Sequence, residues 1–130
     1  MPIRVYYEDT DASGVVYHAA YLRFFERGRT EWLRTLGFSQ QALARGQGIA
    51  FTVARISLRF IAPARLDDSL VVGTAMAVRR RASLAFHQQM APAPGLPPLA
   101  QADVLVACVS VPGFRPHALP ATLAQRLAAG

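Results

Sequence analysis

"VYHAAYLRFFERGRTEWLRTL", residues 16–36, decides the architecture. Tyr21, Phe25, Trp32 and Leu36, with Gly28 between them, recur at three- and four-residue spacing, while Arg23, Arg27, Glu31 and Arg34 mostly fall on other faces. That is the period of a helix from Val16 to Leu36. Gly37 stands where a helix is usually closed by a residue that accepts left-handed backbone. A helix of this length spans roughly 30 Å. Its apolar residues cover more of its surface than one flat sheet face would bury, so a sheet curved around it is expected.

The flanks supply such a sheet. Upstream, "IRVYY" (3–7) has the β-branched and aromatic content of a strand. Downstream, a short helical or irregular piece (Ser39–Arg45) ends at Gly46 and Gly48. "FTVARISLRFIAP" (51–63) then alternates, with Ala54, Ile56, Leu58 and Phe60 to one side and Arg55, Ser57 and Arg59 to the other. "DDSLVVGTAMAVRRR" (67–81), "ASLAFHQQMAP" (82–92) and "LAQADVLVACVSVP" (99–112) read as three more strands, with a proline-rich loop between the last two. Pro120 opens a short terminal helix, "ATLAQRLAA". Strand, long helix and four consecutive strands define an α+β fold with a largely antiparallel sheet. Residues 1–130 carry no repeat and no linker, so one domain is expected.

Composition narrows the function. All 14 positive charges are arginine, and the formal net charge is +6. Such a surface attracts anions, whether nucleic acid, phospholipid or a phosphorylated cofactor, without choosing among them. Nucleic-acid binding is disfavoured, because no recognition motif or interleaved aromatic platform accompanies the charge. The single cysteine, Cys108, lies in an apolar run and permits neither a disulfide framework nor a cysteine-based zinc site. The opening residues lack a signal-type apolar core, and no segment approaches the roughly 20 apolar residues of a membrane span. A cytoplasmic location is therefore expected.

"EDTDASGVVYH" (8–18) holds the chemistry. Read from Asp9 it mimics a calcium loop, with Gly14 at the sixth position, but the twelfth is Ala20 where a bidentate glutamate is needed. No helix precedes it either, so a metal is not expected. A carboxylate just before a helix start has another use. It stays ionised beside free backbone N–H groups and the positive end of the helix dipole, which also polarise a substrate carbonyl. Base or nucleophile plus oxyanion donor is the equipment for acyl transfer to water. On spacing alone, Asp11 reads rather as a helix-capping aspartate with spare acidic neighbours.

The stretch from Tyr6 to Phe38 closely resembles the opening of the 4-hydroxybenzoyl-CoA thioesterase family, nearest to its Tol-Pal-associated, YbgC-like branch. "FIAPARLDD" (60–68) and "RRRASLAF" (79–86) resemble later segments of that family, so the likeness runs through the whole chain. It implies a hot-dog fold that pairs into a homodimer or tetramer by extending its sheet. It also implies hydrolysis of an acyl-CoA, or an acyl-carrier-protein thioester, without a cofactor. Asp11 matches the catalytic aspartate, as general base or nucleophile. His18 matches the histidine whose backbone N–H polarises the thioester carbonyl, and Tyr17 is expected to line the acyl pocket. Ala20 replaces an asparagine of the family, which puts loop support or substrate choice in question. It is also the one feature favouring a non-catalytic acyl-binding or envelope-complex protein of the same fold.

Arg79, Arg80 and Arg81 end a strand and are candidates for the CoA phosphates, since the planar guanidinium suits phosphate. Glu26 and Glu31 are expected to be solvent-facing partners of Arg23, Arg27 or Arg34. His87 and His117 lack ligand-spaced partners and read as structural or surface residues.

Overall fold

The computed structural model describes residues 1–129, with Gly130 of the expected 1–130 domain lying outside them. The helical stretch forms α1, His18–Thr35, whose buried residues are Ala20, Tyr21, Phe24, Phe25, Gly28 and Leu33. The helix begins two residues later than its apolar pattern suggests. Val16 is instead bridged to Thr10, and its N–H is bonded to Ala64 O at 2.8 Å. Phe24 and Phe25 are wholly buried, each stabilising the fold by about 1.5–3 kcal/mol relative to exposure.

Five strands surround the helix: β1 Pro2–Arg4, β2 Ile49–Phe60, β3 Ser69–Arg79, β4 Ser83–Ala91 and β5 Ala100–Ser110. They form one sheet in the order β1-β3-β4-β5-β2, and every pairing is antiparallel. A short α2, Gln40–Gln47, is capped by Ser39, whose side chain accepts the Ala42 N–H, and closes on Gly48 at φ 62°. α3, Ala121–Ala129, follows Pro120.

The first strand is shorter than expected. Tyr6 leaves it and a single 3₁₀ turn, Tyr7–Asp9, takes over, because Asp9 folds back to accept the Tyr6 N–H. In β2 the predicted inward row is broken. Pairing with β5 shifts register between Val53 and Arg55, so Ala54 is exposed, while Ile56 and Leu58 still pack against the core. Phe60, the last of that row, is 45% exposed and covers the helix start.

α1 approaches the sheet closely at Gly28. A Cβ built there would stand 2.7 Å from Val72 Cγ1 and 2.9 Å from both Gln88 Nε2 and Thr74 Oγ1. Gln88 is fully buried and cannot swing away. Its Nε2 donates to Phe25 O and Thr74 Oγ1, and its Oε1 accepts from Arg29. This clamp ties the helix to β3 and β4 at one point. Beyond it, α1, β2, β4 and β5 line a cavity of about 290 Å³, with Arg29, Trp32, Phe51, Phe86 and Val106 among its walls.

Candidate active site

Three rungs of paired backbone precede α1. Thr10 bridges Val16, Asp11 N–H bonds Val15 O at 2.9 Å, and Tyr17 N–H bonds Asp9 O at 3.1 Å. Asp11 is therefore the tip of a small hairpin whose return strand runs straight into the helix. Gly14, at φ 83°, supplies the left-handed residue that this turn requires. The segment 64–68 grips the hairpin from outside: Leu66 N–H bonds Gly14 O at 3.1 Å, and Val15 bridges Arg65. That gives the "PARLDD" stretch a local purpose.

Asp11 is exposed, and its carboxylate accepts from the Ser13 N–H at 2.8 Å and from the Ser13 hydroxyl. The Ser13 hydroxyl above all, then the Ser13 amide, hold its pKa below the ordinary aspartate value, with a smaller pull from His18. The group is thus kept as a carboxylate. It is not a helix cap: the residue preceding α1 is Tyr17, whose side chain caps nothing.

The helix start is correspondingly open. Ala20 N–H turns back to Tyr17 O at 3.0 Å, while the N–H groups of His18 and Ala19 have no acceptor among the described residues. These two donors sit at the positive end of an 18-residue helix. The His18 ring leans on Phe60, centroids 4.7 Å apart, and Phe60 meets Tyr21 edge-on at 5.1 Å. Tyr21 in turn accepts the Ala64 N–H at its hydroxyl. The aromatic stack fixes how His18 leaves the helix.

The remaining candidates divide. Tyr17 is 42% exposed and lies beside Arg23, helping to hold that guanidinium's charge; neither Tyr17, His18 nor Asp11 lines the cavity beside Arg29. Arg79 ends β3 and Arg80 and Arg81 follow it, at the far end of the strand from the Asp11 hairpin, roughly 30 Å along it. Arg79 donates to Ala124 O at 2.9 Å, and Arg81 O accepts the Leu119 N–H. Within one chain they are not brought to Asp11. Ala20 is wholly buried, and its methyl offers the loop no hydrogen bond. Glu31 does pair with Arg34, at 2.6 Å.

Arg23 does not pair with a glutamate. Its Nη2 meets Oδ1 of Asp9 at 2.7 Å, and the Asp9 side chain is only 7% exposed. Asp9 and Phe60 are the residues beside the hairpin and helix start that the sequence alone does not single out. In the sequence Asp9 stands in an acidic run with Glu8 and Asp11, and Phe60 ends an alternating row. His87 pairs with Asp103 across β4 and β5 on the exposed side of the sheet, as befits a surface residue.

A curled antiparallel sheet on one long helix is the build of the hot-dog fold. The sequence pattern of the thioesterase superfamily matches residues 13–95. The chain belongs to that superfamily. It is 49% identical over 122 residues to the acyl-CoA thioester hydrolase YbgC of Escherichia coli O157:H7, covering 94% of this chain and 90% of the relative. It is 48% identical over 119 residues to the acyl-CoA thioesterase YbgC of Haemophilus influenzae, covering 92% and 86%. Among solved structures, a probable thioesterase from Bartonella henselae superposes with a TM-score of 0.85 at 38% identity, over 92% of this chain and 97% of that one. A DHNA-CoA thioesterase from Staphylococcus aureus shares the fold, with a TM-score of 0.91 at 20% identity over 99% and 87%.

Proposed function

We propose that the chain hydrolyses acyl-CoA thioesters to free acid and CoA at the Asp11 hairpin. The observation that carries this reading is the pair of free N–H groups at His18 and Ala19, at the end of a three-rung hairpin whose tip is an ionised carboxylate. The names of the YbgC relatives support the substrate class. A thioester carbonyl seated against those N–H groups is polarised, and the charge that develops on its oxygen meets the helix dipole. Asp11 then takes a proton from an attacking water, or adds to the carbonyl itself and is freed by water. Either route starts from the ionised side chain. The C–S bond breaks, and CoA leaves as its thiolate to be protonated by solvent.

The test is CoA release from a panel of short, long, aliphatic and aromatic acyl-CoAs, with an acyl-carrier-protein thioester alongside. Thiol reagents suit it, because burial pushes the Cys108 thiol up and slows its own reaction. Turnover of at least one CoA ester is expected; turnover of none would remove the reading.

Acidity provides a second expectation. Asp11 acts as base or nucleophile only when ionised, so kcat/KM should hold as pH falls and decline only below the ordinary aspartate range. Ser13→Ala removes the strongest of the interactions that hold this pKa down, and should move the acid limb upward. The same sign applies to stability: what the ionised side chain contributes is present above its unfolded pKa and is lost as pH falls through its folded one. A limb that Ser13→Ala does not move would assign it to another group.

We further propose that two copies join through β2, whose outer edge is unpaired over 12 residues and carries exposed Val53. Long unpaired edges are templates for a partner strand. Such pairing supplies Arg79, Arg80 and Arg81 of the neighbouring copy as ligands for CoA phosphates. Sedimentation should then give at least twice the 14.1 kDa chain mass. A double Arg80→Ser/Arg81→Ser variant should raise KM for acyl-CoA several-fold and leave a truncated pantetheine thioester unaffected. Equal effects on both substrates would place the arginines elsewhere.

A further inference from the structure

Asp11 has no side-chain bond to α1. Its carboxylate bonds within its own turn, to the Ser13 N–H and hydroxyl and toward the Val15 N–H. Its separation from the His18 N–H is therefore set by whatever holds the hairpin to the helix. The Ala20 side chain, on the helix's first turn, is a buried methyl that gives the hairpin no polar contact. Among the described residues, the hairpin's tie to the helix body runs through Arg23, which meets Asp9 at 2.7 Å with Tyr17 beside it.

Asp9 is built into three places at once. Oδ2 accepts the Tyr6 N–H at 2.9 Å and closes the 3₁₀ turn entering the hairpin. Oδ1 holds Arg23, more than a turn into α1. Its backbone oxygen accepts the N–H of Tyr17, the residue before the helix. Entry strand, helix start and helix body meet on one buried residue. A carboxylate this buried is costly unless paired, and Arg23 supplies the charge.

We propose that Asp9, through Arg23, is the positioning residue of the site, fixing the Asp11 turn relative to the first N–H groups of α1. The inference rests on the thioesterase reading above. Misplacing a reacting group by an ångström or so costs about 10²-fold in rate. Losing the Asp9 tie should accordingly lower kcat about 10- to 100-fold while KM changes little, because the group bound and the group misplaced are different.

Asp9→Asn, Arg23→Met and the double variant separate positioning from mere stability. Asp9→Asn leaves Arg23 in water. Arg23→Met strands a buried carboxylate, so its Tm should be the lowest of the three. The double variant removes the stranded charge, and its Tm should recover toward that of Asp9→Asn. Turnover by the folded protein should stay low in all three, whereas Arg23→Lys, which keeps a cation, should retain most of it. Should Asp9→Asn fail to fold, Arg23→Met and Arg23→Lys carry the comparison. If kcat returns with Tm in the double variant, or if the folded variants turn over like wild type, Asp9 is structural only and the proposal falls. A wild type that releases no CoA overturns the thioesterase reading, and the positioning role with it.

Discussion

Asp11→Asn is expected to lower kcat for acyl-CoA hydrolysis by about 10³-fold, within the range for removing a catalytic acid–base group, with KM and fold nearly unchanged. The fold should survive because asparagine keeps an oxygen to accept the Ser13 N–H and hydroxyl, the two contacts that shape the turn. KM should survive because no charge of the substrate faces position 11. What vanishes is the negative charge. An amide neither accepts a proton from water at neutral pH nor attacks a carbonyl. Steady-state kinetics with a circular-dichroism control would check this. Near-normal turnover by the folded variant would mean that another group activates water.

The second large effect is structural. Gly28→Val should lower stability by about 3 kcal/mol, since overpacking a close helix–sheet contact costs about 1–3 kcal/mol and a displaced buried hydrogen bond adds about 1–3 more. Only part of this is offset by the better helix propensity of valine over glycine, worth a few tenths of a kcal/mol. The new side chain would meet Val72, Thr74 and the anchored Gln88 together. Gln88 could move only by giving up Phe25 O, Thr74 and Arg29. For a domain of this size, that loss corresponds to a drop in Tm of about 10 °C. Differential scanning calorimetry would show it. An unchanged Tm would mean that α1 lifts from β3 and β4 at little cost, and that the clamp does not set their spacing.

Most of this architecture is legible in the residues. The 3–4 spacing from Tyr21 to Leu36 marks the helix, glycines mark its neighbours' ends, and alternation marks the strands, because each of these signals is local. Strand order is not local. The chain's second strand lies at the sheet edge beside the fifth, and nothing in "FTVARISLRFIAP" announces that its inward row breaks at Ala54. The same holds for the site. Asp11 is legible as a carboxylate before a helix start because hairpin and helix are contiguous in sequence, whereas His18 enters only through the family resemblance. Asp9 is not legible in this way, because its meaning comes from Arg23, fourteen residues on, and from burial that a run of acids conceals. The cavity beside Arg29 is assembled from α1, β2, β4 and β5, so no single stretch encodes its depth. Likewise nothing local in "VRRRASLAF" tells that Arg79, Arg80 and Arg81 lie at the end of β3 away from the Asp11 hairpin.

The most direct test of the central claim is the crystal structure of the Asp11→Asn protein with an intact acyl-CoA bound. The account predicts the thioester carbonyl oxygen about 2.7–3.1 Å from the His18 or Ala19 N–H, with its carbon facing the side chain at position 11. A thioester seated away from the helix start, with position 11 facing only solvent, would contradict it.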